Sequence, residues 1–441
     1  MRHENGRLRT SSRALFFPQA SCLMPHASHF ILSLLLILAL IACGSSGSSA
    51  QSGARHPADD DNDDDQSPDD DDDSSPDDDD NDDDDSADDD DDDDNDDDSS
   101  PGDDDDDNDD DNDSADDDDD NDDDAAWSPM ASGTTATLNG VWGSAASDVY
   151  VVGTNTAGFT GAILHYDGAA WSTVADSTLP LVGVWGSSAS NVFAVGEFGA
   201  IMRYDGSAWA TMISNTAAGL YGVWGSDATD VFAVGYDPIA GVPAILRFDG
   251  STWSPMTGGA ASTLLAGVWG GAATDVFAVG VEFGPDAAPI ADAILNYDGS
   301  LWSAMASGTV AALNGVWGSS ATNVFAVGTQ SDSYGNPIGG VILRYDGSSW
   351  TPMANGNPAA TAFGGVWGSG ASDVFAAGAD GYDDLGVVVH YDGSAWSPMS
   401  VDSTGWLNGV WGTGAADVFA VGYDDNAGVG VILHYAADRK M

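Results

Sequence analysis

Seven short segments of this 441-residue chain set an aromatic side chain among glycines and acids: Phe159, Phe198, Tyr236, Phe283, Tyr334, Tyr382 and Tyr423. Carboxylates stand beside most of them, at Glu197, Asp237, Glu282, Asp383, Asp384, Asp424 and Asp425. Aromatic faces next to carboxylates suit the stacking and hydroxyl hydrogen bonding of a glycan, or a basic protein partner. The same pattern also arises when each aromatic packs over its own sheet edge and the acids keep the loops soluble. No segment repeats another's acid spacing, which points to one composite surface with one or two pockets rather than seven equal sites. Converging carboxylates are also what a glycosidase needs.

Other residue types weigh against catalysis. The chain has no nucleophile elbow, no histidine pair at metal-ligand spacing and no phosphate-binding loop. The seven residues His165, Arg203, Arg247, Asn296, Arg344, His390 and His434 share one position, just before a Tyr or Phe. A repeated internal pair with a nearby Asp is the expectation there; a cationic ring for an anionic ligand is the alternative. The equally periodic Asp148, Asn191, Asp230, Asp275, Asn323, Asp373 and Asp417 follow Gly/Ser-rich turns, and each is expected to cap the amides of its own turn rather than bind metal. We therefore expect a binding protein and not an enzyme, with no cofactor and no metal site.

Those residues need strands to hold them. Gly-Val-Trp-Gly recurs with its tryptophan at Trp142, Trp185, Trp224, Trp269, Trp317, Trp367 and Trp411, at spacings of 43, 39, 45, 48, 50 and 44. Such periods indicate a solenoid or a propeller. Each unit reads as four short runs of strand formers separated by Gly, Ser and Asp, as in Leu313–Trp317, Asn323–Val327, Val341–Tyr345 and Ser349–Met353. No window keeps a 3.6-residue apolar period, so helical solenoids are excluded. The expected fold is all-β, a seven-bladed propeller of four-stranded blades over residues 125–441.

The ends of the repeat region carry the closure argument. A fourth-strand tryptophan occurs in six units, at Trp171, Trp209, Trp253, Trp302, Trp350 and Trp396, but the seventh unit stops at His434-Tyr435 without one. Trp127-Ser128-Pro129-Met130 matches Trp396-Ser397-Pro398-Met399 and precedes the first unit. It is expected to supply the seventh blade's outer strand and seal the ring. Within a blade, Gly-Val-Trp-Gly should lie innermost, with glycines permitting close approach at the axis and Trp packed between blades. Tyr-Asp-Gly, as at Tyr166-Asp167-Gly168, signals the tight turn into the fourth strand. The connections from strand two to three and from blade to blade vary in length and share one face, the usual binding surface of a repeat array.

Upstream, composition changes. Residues 59–124 contain 46 of the chain's 73 acids, and no apolar residue larger than Ala occurs there. Nothing in that run offsets the entropy of ordering, so a disordered, self-repelling spacer is expected, with at most diffuse Ca²⁺ binding because the order of a shaped calcium loop is missing. Residues 43–58 form a Gly/Ser-rich linker. The formal charge of −63 excludes a nucleic-acid-binding role, yet the propeller's share is only −21, from 26 acids and 5 bases. Before the linker, an Arg-rich start and a 12-residue apolar run, Phe30–Ile41, have the length of a signal h-region rather than of a span.

Leu40-Ile41-Ala42-Cys43-Gly44-Ser45 resembles a bacterial lipobox, which implies that residues 1–42 are a signal peptide and that Cys43 becomes the acylated amino terminus. The repeat likewise resembles the Gly-Val-Trp-Gly-Ser … Asp-Val-Phe-Ala-Val-Gly … Tyr-Asp-Gly-x-x-Trp unit of bacterial exported lipoproteins, which implies a propeller and no particular activity. Together these readings lead us to expect a monomer of the bacterial cell envelope, held by lipid at the outer membrane or cell surface. Its partner would be a glycan or a protein. An extracytoplasmic hydrolase using loop carboxylates and a purely structural surface component are the alternatives.

Overall fold

The computed structural model describes residues 127–285, 288–332, 337–381 and 385–436. Cys43, the linker and the aspartate run lie outside these residues. Within them, 28 strands form seven antiparallel sheets of four strands each, the seven-bladed propeller that the repeat spacing predicts. Blade 1, for example, comprises Thr137–Ala145, Asp148–Asn155, Thr160–Tyr166 and Trp171–Ser177, ordered from the axis outward. The seventh sheet is composed of Trp406–Gly414, Asp417–Asp424, Val429–Ala436 and, outermost, Trp127–Met130. Trp127 pairs with Tyr435, Ser128 with His434, Pro129 with Leu433 and Met130 with Ile432, so the ring is closed as anticipated.

Two interlocked series hold neighbouring blades together. A Cβ on Gly140 would lie 2.8 Å from the Val182 carbonyl oxygen, and one on Gly409 would lie 3.2 Å from that of Asn139. A backbone atom of the next blade would lie as near to a Cβ on every first glycine of Gly-Val-Trp-Gly, below 3.0 Å at Gly140, Gly183, Gly222 and Gly267 and at 3.1–3.2 Å at Gly315, Gly365 and Gly409, so the innermost strands approach closely all round the axis. The second glycine seats the preceding blade's tryptophan: Trp142 against Gly186, and so on round to Trp411 against Gly143. On the outside, each fourth-strand tryptophan leans across to the preceding blade. Trp253 meets Phe193 at 6.0 Å between ring centres and Trp396 meets Phe325 at 5.9 Å, both edge-on.

The periodic polar position is spent inside each blade. His165 Nε2 lies 2.7 Å from Asp148 Oδ1, Arg247 Nε donates to Asp230 Oδ1 at 2.6 Å, and Arg344 Nε donates to Asn323 Oδ1 at 2.8 Å. The cations also lie over the second-strand rings, with Arg247 5.2 Å from the centre of Phe232. The internal-pair reading therefore holds. One expectation needs correcting, because Asp148 does not cap its turn's amides. Its second oxygen accepts from Ser144 Oγ at 2.5 Å, with Ser369 and Thr413 doing the same for Asp373 and Asp417. A carboxylate already hydrogen-bonded to the third strand points sideways, where a hydroxyl four residues back reaches it. In these three sets, two with serine and one with threonine, the carboxylate is the middle member, so the histidine is not placed to take the hydroxyl proton.

Candidate binding face and axial well

The propeller's two faces differ in kind. One carries the constant turns. There Asp249 Oδ1 accepts from the amides of Ser251 and Thr252 at 2.9 and 2.8 Å, and Gly250 takes φ +93°, as the Asp-Gly signal requires. Hydrogen bonds to the Ser251 hydroxyl and these amides hold the exposed Asp249 carboxyl down at about 2, and Asp205, Asp298, Asp346 and Asp392 repeat the arrangement. The other face carries the variable connections. Of twelve large apolar side chains exposed among the described residues, all but Val174 and Leu301 lie on it, including Phe159, Phe198, Ile239, Ile290, Ile338 and Leu385. Ten exposed apolar side chains thus share one face with the variable connections.

At the axis on that face, a well of about 150 Å³ draws its wall from all seven blades. The strand register explains why. In every innermost strand the ladder skips two residues, one just after Gly-Val-Trp-Gly and one just before it, the latter being Asn139, Val182, Tyr221, Ala266, Asn314, Gly364 and Asn408. These are β-bulges, which re-aim a side chain, and all seven residues before the phrase line the well. Sequence reasoning overlooked them, although the signal was there as the variable position abutting an invariant phrase. Three asparagines lace the ring: Asn139 Nδ2 donates to the Leu181 carbonyl at 2.7 Å, Asn314 Nδ2 to Phe363 at 2.9 Å and Asn408 Nδ2 to Leu138 at 2.9 Å. On the side of blades 3 and 4 the axis is filled instead by an apolar cluster of Tyr221, Tyr236, Leu264, Ala266 and Val281, flanked by Phe283.

The sequence-derived site residues therefore scatter. Phe198 is 49% exposed, takes φ +55° and meets Phe159 edge-on at 6.1 Å, forming an aromatic pair across blades 1 and 2. Tyr236 and Phe283 turn inward into the axial cluster, so they are packing residues and not exposed loop aromatics. The apolar axis beside them is the better environment for a ring. Tyr423 is half-buried next to Trp406, 6.5 Å between ring centres. Asp237 Oδ1 accepts from the amides of Ile239 and Ala240, and Asp424 accepts from the Ala427 amide and the Thr404 hydroxyl, so both carboxylates are committed to holding their own loops. Glu282 is half-buried and Asp425 exposed. Tyr334, Tyr382, Asp383 and Asp384 lie outside the described residues. None of the described ones lines the well.

Glu197 is the unusual case. It sits in the short 3₁₀ turn Glu197–Gly199 with only 8% of its surface exposed, and burial alone pushes its carboxyl up to about 7. Burial raises the neighbouring Tyr221 phenol, and the Glu197 carboxylate adds to that shift. Because the folded chain holds this proton up to about pH 7 while the unfolded chain releases it near 4.5, stability declines as pH rises between those values, by roughly 3 kcal/mol at most. Glu197→Gln is expected to remove that component. Melting followed at pH 5 and pH 8 should show the wild type losing several degrees more than the variant; equal losses would refute the assignment.

No protein-family model and no curated protein sequence matches this chain. Solved structures do resemble it. YCF48 bound to D1 peptide aligns with a TM-score of 0.51 at 14% identity, covering 71% of this chain and 97% of that one. The WD40 β-propeller domain of Doa1 gives 0.53 at 12% identity, covering 71% and 96%. Virginiamycin B lyase from Staphylococcus aureus gives 0.54 at 12% identity, covering 70% and 99%. At such identities the likeness is one of fold, and it joins a lyase to proteins of other kinds.

Proposed function

We propose that this chain is an extracytoplasmic binding protein, lipid-anchored at Cys43 to the bacterial envelope and spaced from it by residues 59–124. Its propeller takes a protein partner through the variable face and catalyses no reaction. The observation that carries this reading is the asymmetry of the faces: exposed Ile, Leu, Val and Phe are gathered on one, around an axial well, while the other is studded with self-capped aspartates. Aliphatic side chains favour a protein surface over a glycan, which is held chiefly by aromatic stacking and polar groups. YCF48, similar in fold, is seen with a bound peptide, and this supports the same use of the architecture.

A photo-crosslinking residue placed at Ile239, on the variable face, is expected to trap a protein in intact cells, whereas one at Ser300, on the constant-turn face, is not. Equal trapping at both, or trapping only at Ser300, would refute the reading. Labelling with palmitate that persists in Cys43→Ser would remove the anchor.

The hydrolase reading has one observation in its favour, since a buried carboxyl near 7 is suited to general acid work. Against it, Glu197 stands outside the wall of the well. Turnover of a glycoside that Glu197→Gln abolishes would establish it.

A further inference from the structure

The well is chemically one-sided. Among the residues lining it, Asp380 is the one that carries a charge, and no Lys, Arg or His is present. The asparagine amides add to this bias. Each Nδ2 faces a backbone carbonyl oxygen of the next blade at 2.7–2.9 Å, and since an amide oxygen there would be repelled, the orientation of the group is settled. Each amide thus spends an N–H between blades, Asn139 spends its second on Thr154 Oγ1 at 3.1 Å, and each keeps its acceptor oxygen for a ligand. Thr137 makes a second, independent point. It lines the well and is 4% exposed, and its hydroxyl is buried with no hydrogen-bond partner among the described residues. A buried hydroxyl without a partner is uncommon and calls for an explanation, and a polar group or water entering beside it from the well is one. Trp406 supplies an aromatic portion of the wall, which favours a cation over an anion. A volume of about 150 Å³ has room for one side chain, well below the 300 Å³ or more of a drug-sized site.

Resting on the proposal that the variable face binds a protein, we propose that the axial well takes the side chain of a single lysine or arginine of that partner, its cationic head among Asp380 and the asparagine oxygens. The exposed apolar residues around the well then cover the residues that flank this basic anchor. The propeller's formal charge of −21 acts in the same direction by drawing a basic partner to the surface.

The test is a selection of random decapeptides displayed against the whole chain, with competition by a peptide crosslinked at Ile239 to retain binders of the variable face. The expected binders share a Lys or Arg at one fixed position, and replacing it with norleucine, which keeps the aliphatic stem, lowers affinity at least tenfold. Asp380→Asn, checked for an unchanged melting temperature, should lower affinity by a similar factor. Asp402→Asn, an exposed carboxylate on the same face outside the well, should change it less than twofold. If Asp380→Asn does not fold, the norleucine comparison on the unaltered chain decides. Binders of the variable face that lack a fixed basic residue, or that tolerate norleucine, would overturn the inference and leave the protein-binding proposal standing. A glycan that displaces the peptides from the well would overturn it in favour of the sugar. Failure to recover any binder at that face would overturn both.

Discussion

Deleting residues 1–130 is expected to open and destabilise the whole propeller, whereas deleting residues 1–126 should leave its melting temperature unchanged. The four residues that separate these variants form the outer strand of blade 7. Trp127 is buried in a cluster with Phe375, Leu407 and Leu433, which bridges blades 6 and 7, so its loss empties a cavity at a blade junction. Removing a buried Trp side chain alone costs about 3–5 kcal/mol, and Trp127→Ala should fall in that range. The deletion goes further, because it also bares the backbone edge of Val429–Ala436, a template for pairing with another chain. Size exclusion and urea unfolding would measure both effects. An unchanged midpoint and a monomeric profile for the shorter variant would show that the ring does not depend on its closure.

Gly378→Ala should be nearly as damaging, from a single methyl group. Gly378 lies opposite Phe363 on the second strand of blade 6, beside the bulge at Gly364, and a Cβ there would fall deep inside van der Waals contact with the Ala362 carbonyl oxygen. A backbone oxygen within a sheet cannot swing aside as a side chain can. Overpacking generally costs about 1–3 kcal/mol and more where backbone must move, so about 3 kcal/mol or more is expected. Gly370→Ala, in the same blade with nothing within 4 Å of the new methyl, is the internal control and should stay within about 0.5 kcal/mol. Similar urea midpoints for the two variants would show that blade 6 can adjust at its bulge. Because Gly378 also lines the well, residual folded protein should show altered binding there.

How much of this was legible beforehand varies with the kind of interaction. Architecture was readable because a strand phrase repeated seven times reports the same local solution seven times, and Trp127-Ser128-Pro129-Met130 could be matched to its counterpart by inspection. The internal pairing of His165 or Arg247 followed from periodicity too, since a carboxylate recurs with the same spacing. The variable face was located by loop length, but which of its side chains lie exposed was not. Whether Tyr236 points outward or into the axis depends on the apolar cluster of blades 3 and 4, which is contributed largely by Leu264, Ala266 and Val281 of the following blade. The bulge residues were missed for a different reason. A ladder slip is invisible in a period-two reading, which assigns Asn139 to the wrong side of its strand. Asp237 and Asp424 could have been recognised as caps, because each begins an Asp-x-x-x-Gly turn whose glycine takes φ +68°.

The closing strand has a mechanical consequence. Trp127 lies at the constant-turn end of blade 7, so the chain joins the propeller on the side turned away from the well. With the proposed anchor at Cys43 and the proposed partner in the well, a pull on that partner would be resisted at the opposite end of the domain, through the four residue pairs between Trp127–Met130 and its neighbour. Four pairs, against the seven and eight that join the other strands of blade 7, make this the shortest ladder in the path of that load. Under tension the propeller would yield first at its seam, and the force at which it yields would set an upper limit on how hard the partner can be pulled before the hold is lost.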